Sequence, residues 1–212
     1  MPGGPRTDLN GTLQAGPDGQ GWKLNAALTN SIPGPWDKQA LPVRTITADA
    51  AFDGTHMWLL NQARIEFGKA GKAHMQAQGH FDAQNQALEG QADLVAVNPT
   101  ELYSTLDAAP LSGSLKATTN AQQQVQFQLA LESAQANTSK GLNIEAARAE
   151  GTWKAPELEI RNLYLHALQA QLNSKLLHIN TDTQHLKGQL QAQLPGLRSE
   201  LDMDGGATSG QG

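Results

Sequence analysis

The sequence predicts an all-β fold, a long antiparallel meander of about 11–13 strands interrupted by one short helix near residues 98–107. Three observations carry that prediction. Apolar or small residues occupy every second position over long stretches, which is the period of a strand with one wet and one dry face. Turn signals separate those stretches, and between residues 43 and 97 strand starts recur every 14 to 16 residues. The chain also repeats one unit, Leu-x-Gly-x-Leu-x-Ala, at Leu9–Ala15, Leu111–Ala117 and Leu186–Ala192, with looser copies at 77–83, 88–94 and 149–155. A Gly recurring inside a strand pattern marks a bend, a bulge or a close backbone approach.

In chain order, residues 7–15 read as a first strand and Gly16-Pro17-Asp18-Gly19 as a turn. Trp22, Leu24, Ala26 and Leu28 alternate on the return. Prolines at 33 and 35 exclude ladder pairing there, so 30–37 is an excursion, with Trp36 as a packing anchor over a sheet end. Ile46 to Phe52 form the next strand, followed by the Asp53-Gly54 turn. Met57, Leu59, Ala63, Ile65 and Phe67 then share one face, with Asn61 as an exception. Gly68 to Gly71 turns into Ala73–Ala83, and Gln84-Asn85-Gln86 turns into Leu88–Ala96. Asn98 offers an N-cap, Pro99 the first helical position and Glu101 an acid in the first turn, giving a helix that ends by about Asp107. Leu111–Thr119 and Val125–Leu131 resume the meander, and Asn137 to Gly141 turns into Leu142 and Ile144. The register slips between Ala146 and Ala147 and again around Asn162, two candidate bulges. Good helix formers at 147–150 and 167–172 are outweighed by the alternation of Leu168, Ala170 and Leu172, so this region reads as strand. Leu177, Ile179 and Leu186 to Leu194 follow, and Pro195-Gly196 closes the last strand. The chain thus divides into a disordered start at 1–6, one elongated β segment at 7–204 and a disordered Gly/Ser tail at 205–212.

Composition excludes several classes. A net charge of −5 leaves no basic stripe with which to displace nucleic-acid counterions. The absence of Cys removes disulfides, thiolate metal sites and Cys nucleophiles together. The apolar run near Met57–Leu60 is too short to span a bilayer. With its Pro/Gly-rich start and Gly-rich finish, the chain reads as an internal piece of a longer exported protein, the cytoplasm being the other possibility.

No catalytic constellation emerges, and the expectation is a protein that is not an enzyme and holds no cofactor or metal. His56, His74, His80, His166, His178 and His185 are scattered, and His178, Asp182 and His185 read as solvated turn residues. Glu157 and Glu159 share a strand face at a spacing open to paired carboxylates, but read as the wet face opposite Leu158 and Ile160. The informative surface is the dry one. Its large residues are expected to be Leu13, Leu24, Leu28, Phe52, Leu59, Ile65, Phe67, Met75, Phe81, Leu94, Leu115, Phe127, Leu129 and Leu190. Ala and Gly interleave with them. Those small residues either leave room for an acyl chain, at about 0.8 kcal/mol per sheltered methylene, or let two faces pack closely.

The repeated Leu-x-Gly-x-Leu-x-Ala units, Gly34-Pro35-Trp36-Asp37 with Leu41-Pro42, Asn98-Pro99 ahead of the Gly113 strand, and Gly188 to Leu197 together resemble the TamB family within the AsmA-like group. The resemblance covers most of residues 7–201, and Gly34-Pro35-Trp36-Asp37 is its most specific piece. It implies a β-taco, a sheet rolled into an open groove, in a periplasm-spanning envelope protein of a Gram-negative cell, anchored in the inner membrane. It implies phospholipid movement towards the outer membrane, with acyl chains held in the groove at the candidate residues above. It also implies partnership with the outer-membrane barrel TamA in outer-membrane protein assembly and secretion. The family's N-terminal anchor and most of its length are not in this sequence, so any membrane contact would run through other parts of a parent chain. Two other readings follow from the residues: a secreted or surface β-solenoid or adhesin-like module, motivated by the Gln/Asn/Thr-rich wet face, and an enzyme using Glu157, Glu159 and the histidines.

Overall fold

Alternation at a period of two becomes strand along nearly the whole chain. The computed structural model describes residues 6–68, 72–106, 109–133, 144–167, 170–183 and 185–206. They form β1 (Leu9–Asp18), β2 (Gly21–Asn30), β3 (Val43–Phe52), β4 (Met57–Phe67), β5 (Ala73–Asp82), β6 (Ala87–Val97) and β7 (Leu111–Thr119). The second half adds β8 (Val125–Ser133), β9 (Ile144–Lys154), β10 (Glu157–Ala167), β11 (Ala170–Ser174), β12 (Leu177–Asn180), β13 (His185–Leu194) and β14 (Leu197–Gly206). A 3-10 turn at Trp36–Lys38 and the four-residue helix α1 (Pro99–Leu102) are the helical elements among the described residues.

All of these strands join one sheet, each pairing antiparallel with its neighbours in sequence except β11 and β12, which do not pair with each other. β11 and β12 both lie between β10 and β13, so they are two halves of one strand interrupted at Lys175 and Leu176. The 14 strands therefore fill 13 positions in the sheet. At 4.8 Å between strands and 3.3 Å per residue, the sheet is roughly 58 Å across its strands and about 33 Å along them. The parallel coil of a β-solenoid is not formed.

The molecule exposes 13614 Å², whereas a compact monomer of this mass exposes about 9,500 Å². The excess follows from the architecture, since one sheet with no second layer leaves both faces accessible. Only a few side chains are deeply buried. Most of them, Asn30, Pro42, Ala73, Val97, Pro99, Ala109 and Leu111, lie along one long side of the sheet, at strand ends beside the segments 31–42, 98–106 and 109–110. Asn30 organises the first loop. Its side-chain N–H groups donate to the carbonyls of Leu41 and Val43, and its Oδ1 accepts from the N–H groups of Asp8 and Ile32. Full satisfaction is what makes a buried amide tolerable there. Asp37 then clips the two loops together: Oδ1 accepts from the Ser104 N–H at 2.8 Å and Oδ2 from its hydroxyl. The other long side consists of tight turns at 19–20, 53–56, 83–86, 120–123 and 155–156.

Several expectations are corrected. The 16–19 segment is not the first turn. β1 runs through Gly16 and Pro17 to Asp18, and the chain reverses at Gly19–Gln20, where Gly19 has φ 61°. Pro17 is tolerated because β1 is an edge strand. Asn98 caps α1 as expected, accepting from the Thr100 N–H, but the helix stops at Leu102, where Tyr103 is already extended. Asp107, its expected end, lies outside the described residues. Trp36 is half exposed, and Asp37 beside it makes the anchoring contact. Pro195-Gly196 is a hairpin turn into β14, whose Gly205 and Gly206 pair with Leu186 and His185; residues 207–212 lie outside the described set, as do 1–5, 69–71, 134–143 and 168. The expected slip near Asn162 is the shift between Ile160 and Asn162, whereas the slip expected at Ala146/Ala147 falls one residue earlier, at Glu145.

Candidate functional site

Residues paired across an antiparallel ladder share a face, so the register sorts the molecule into two surfaces. One carries the salt bridges Lys23–Asp49, Arg148–Glu132 and Lys187–Asp204 between strands and Arg64–Glu66 within β4. His80 faces Glu89, His178 faces Glu159 and His185 faces Asp204 on this surface. Glu157 accepts from the Asn180 side chain at 2.6 Å. Glu157 and Glu159 are thus each engaged with a different neighbour on β12, and no group of three potential ligands gathers around a metal position among the described residues.

The opposite surface carries no charged residue at any paired position among the described residues. Its side chains fall into rungs running across the strands. The rung beside the tight turns is aromatic for much of its length: Trp22, Phe52, Trp58, Phe81, Leu88, then Thr119, Val125, Trp153, Leu158 and Ile179. Phe52 and Trp58 stack with centroids 4.6 Å apart. Three of the four tryptophans stand on this rung, 42–50% exposed.

The next two rungs are small through β3–β6 except at Leu60. One reads Ala50, Leu60, Gly79, Gly90 and the other Ala48, Ala63, Ala77, Ala92. Beyond them lies a rung of large residues, Leu28, Ile46, Ile65, Met75 and Leu94. Small residues between two tall banks make a trough. Along it lies an open depression of about 380 Å³ lined by Ala50, Trp58, Leu60, Ala77, Gly79, Phe81, Leu88, Gly90, Ala92, Leu115 and Ala117, with Leu59, Gln78, His80, Glu89 and Gln91 also contributing to its lining. From β8 onward the same two rungs carry Phe127, Leu129, Ile160 and Leu163, and the trough is filled.

Thirteen of the fourteen predicted residues lie on this apolar surface. Phe52 and Phe81 are on the aromatic rung. Leu24 and Phe127 are on the second, and Leu13, Leu115 and Leu129 on the third, where Leu190 continues through its partner Leu201. Leu28, Ile65, Met75 and Leu94 form the far bank, and Phe67 pairs with Ala73 beside the loop-covered side. Leu59 is misplaced: it pairs with Ala51 and His80 on the charged surface, as Met57 pairs with Asp82. The cause is the bulge at Asn61, an extra residue that reverses the alternation within β4 and whose side chain bonds Asp49. Trp58 and Leu60 therefore face the trough in place of Met57 and Leu59. Trp22, by contrast, sits in phase with Leu24 and Leu28 and was readable as part of this surface.

The glycines do not simply leave room. A Cβ on Gly113 would lie 1.8 Å from the Ala130 carbonyl oxygen, and one on Gly151 would lie 2.0 Å from that of Glu159. The obstacle in each case is the backbone of the neighbouring strand, so these glycines admit close approach between strands. In β3–β6 it is chiefly alanines that form the trough floor, and among the described residues no second face packs onto it. No protein family, curated protein or solved structure matches the chain.

Proposed function

We propose that this chain is a segment of a TamB-like, AsmA-related lipid conduit, which shelters phospholipid acyl chains on its apolar surface between the inner and outer membranes. The supporting observation is an uncharged apolar surface that crosses the whole sheet without a covering layer. Half-sheltering a dozen methylenes there contributes about 5 kcal/mol, without any polar contact to the tail. A surface lacking fixed polar anchors binds every segment of a tail about equally, which favours sliding over capture at one point. The headgroup stays in water beyond the aromatic rung, where the indole N–H groups can meet it. In this reading the parent chain supplies the inner-membrane anchor and the contact with the TamA barrel, and the segment acts without catalysis.

Mass spectrometry of organic extracts from purified protein tests the reading. Phospholipid should accompany the chain. Leu115→Asp, at the depression, should remove most of it, and so should Ala77→Trp, which fills the trough. Thr47→Asp, on the charged surface, should retain it. Lipid-free protein, or equal loss in all three variants with folding intact, would overturn the proposal.

A further inference from the structure

The charged surface is hollowed as well. Two open depressions lie on it, of about 1160 Å³ and about 770 Å³, each larger than the one on the apolar surface. The larger spans β8 to β13 and the smaller β4 to β8, and Gln128 of β8 lines both. Neither β1 nor β14 contributes to them.

A single rung runs through the two. The register sets Gln78, Gln91, Lys116, Gln128, Glu150 and Asn162 side by side on six consecutive strands, β5 to β10. The first four line the smaller depression and the last three the larger. Four of the six are amides, and the charges of Lys116 and Glu150 cancel. The Asn162 side chain donates to Glu150. The side chains of Gln78, Gln91, Lys116 and Gln128 engage no other group among the described residues.

The repeat along this rung selects its occupant. Successive side chains stand about 4.8 Å apart, so the six strands span about 24 Å. An extended peptide advances about 3.3 Å per residue and loses phase with the rung within a few strands. Peptides also dock on the edges of sheets, where main-chain groups are free, rather than across their faces. A polyanion finds no excess of cations here. A β-1,4-linked sugar chain, by contrast, advances by nearly one strand spacing per ring and carries hydroxyl groups along both of its edges. Each hydroxyl both donates and accepts, and so does each amide through its NH2 group and its carbonyl oxygen. Tyr164, on the same face as Asn162, lines the larger depression and offers a ring on which the apolar face of a sugar can rest.

We propose that this rung binds a neutral, extended β-1,4-linked glycan lying across β5 to β10. The site is on the face opposite the apolar trough, and it stands whether or not that trough carries lipid.

Calorimetric titration of the whole chain with cellobiose, cellotetraose and cellohexaose tests the assignment. Affinity should rise with chain length, because a longer glycan reaches more of the rung. Gln91→Ala with Gln128→Ala removes two amide contacts and should weaken cellohexaose binding by about tenfold. Gln76→Ala, one rung away on the same face of β5, should bind as the unaltered chain does, and so should Ala77→Trp on the apolar surface. Circular dichroism establishes that each variant is folded. A folded chain that binds no cellohexaose at millimolar concentration, an affinity independent of length, or an equal loss in either control variant would overturn the proposal. Tighter binding of the anionic glycan hyaluronan than of cellohexaose would overturn it too.

Discussion

A methyl group placed on Gly113 would lie 1.8 Å from the Ala130 carbonyl oxygen, whereas one on Gly16 would meet nothing within 4 Å. The two glycines occur in similar strand contexts, yet only the first is required by the neighbouring backbone. Gly113→Ala should destabilise the chain by about 2–3 kcal/mol, and Gly16→Ala by less than about 0.5 kcal/mol; urea unfolding of the pair measures the difference. Carboxylates at the tight turns add a pH dependence. The Thr55 hydroxyl, followed by the Thr55, Met57 and His56 N–H groups, holds Asp53 well below its ordinary 3.8, and Asn85 lowers Asp82 in the next turn. Groups lowered in the folded state stabilise above the unfolded value and lose that contribution as pH falls through the folded one. The thermal midpoint should therefore drop below about pH 4, and it should drop less in Asp53→Asn. At this scale the positions of the glycines were legible and their cause was not, because the neighbour that requires them is set by register. Asn61 shows the same limit: its place as an exception in the pattern could be read, but not that it would reverse the alternation behind it.

The elements along the loop-covered side are held by few contacts, and the Asp37–Ser104 clip joins two of them over 67 residues of sequence. Ser104→Ala removes the hydroxyl's hydrogen bond to Asp37 Oδ2 and leaves the backbone bond to Oδ1 alone. Amide exchange should quicken in 31–42 and 98–106 while β7 and β8 keep their protection. Glu101, next to the same clip, is raised above its ordinary value by burial, and its carboxyl lies against Gly68. Its protonated form is favoured by folding, so this contribution is present at low pH and is lost as pH rises through the raised value. Glu101→Gln should raise the thermal midpoint at neutral pH. Most strands were legible because alternation is a local signal. β14 was not expected as a strand, since Pro195-Gly196 reads equally as a stop and as a hairpin turn, and only a paired partner distinguishes them. The helix was legible at its start, where Asn98 and Pro99 define the cap, but its end depended on the chain leaving to cover the sheet.

Across the whole molecule, stability is distributed from strand to strand, since each strand packs chiefly against its ladder neighbours and no common core ties distant strands together. Proteins built in this way behave as nearly one-dimensional arrays. Hydrogen exchange should show protection falling from the central strands towards β1 and β14, and denaturant unfolding followed at Trp22 and Trp153 should give separate midpoints rather than one. The single-sheet fold was readable from the long unbroken alternation with few aromatics. The trough was only partly readable, because it arises where alanines of four successive strands fall on one rung, and rungs exist only once register is fixed. Strand order has a further consequence. Each strand from β2 onward finds a partner in the strand just before it, or for β12 in β10 two strands back, so no stretch of chain has to wait for a distant one. A chain emerging N-terminus first, from a ribosome or a translocation pore, can add one finished strand at a time to the structure already formed.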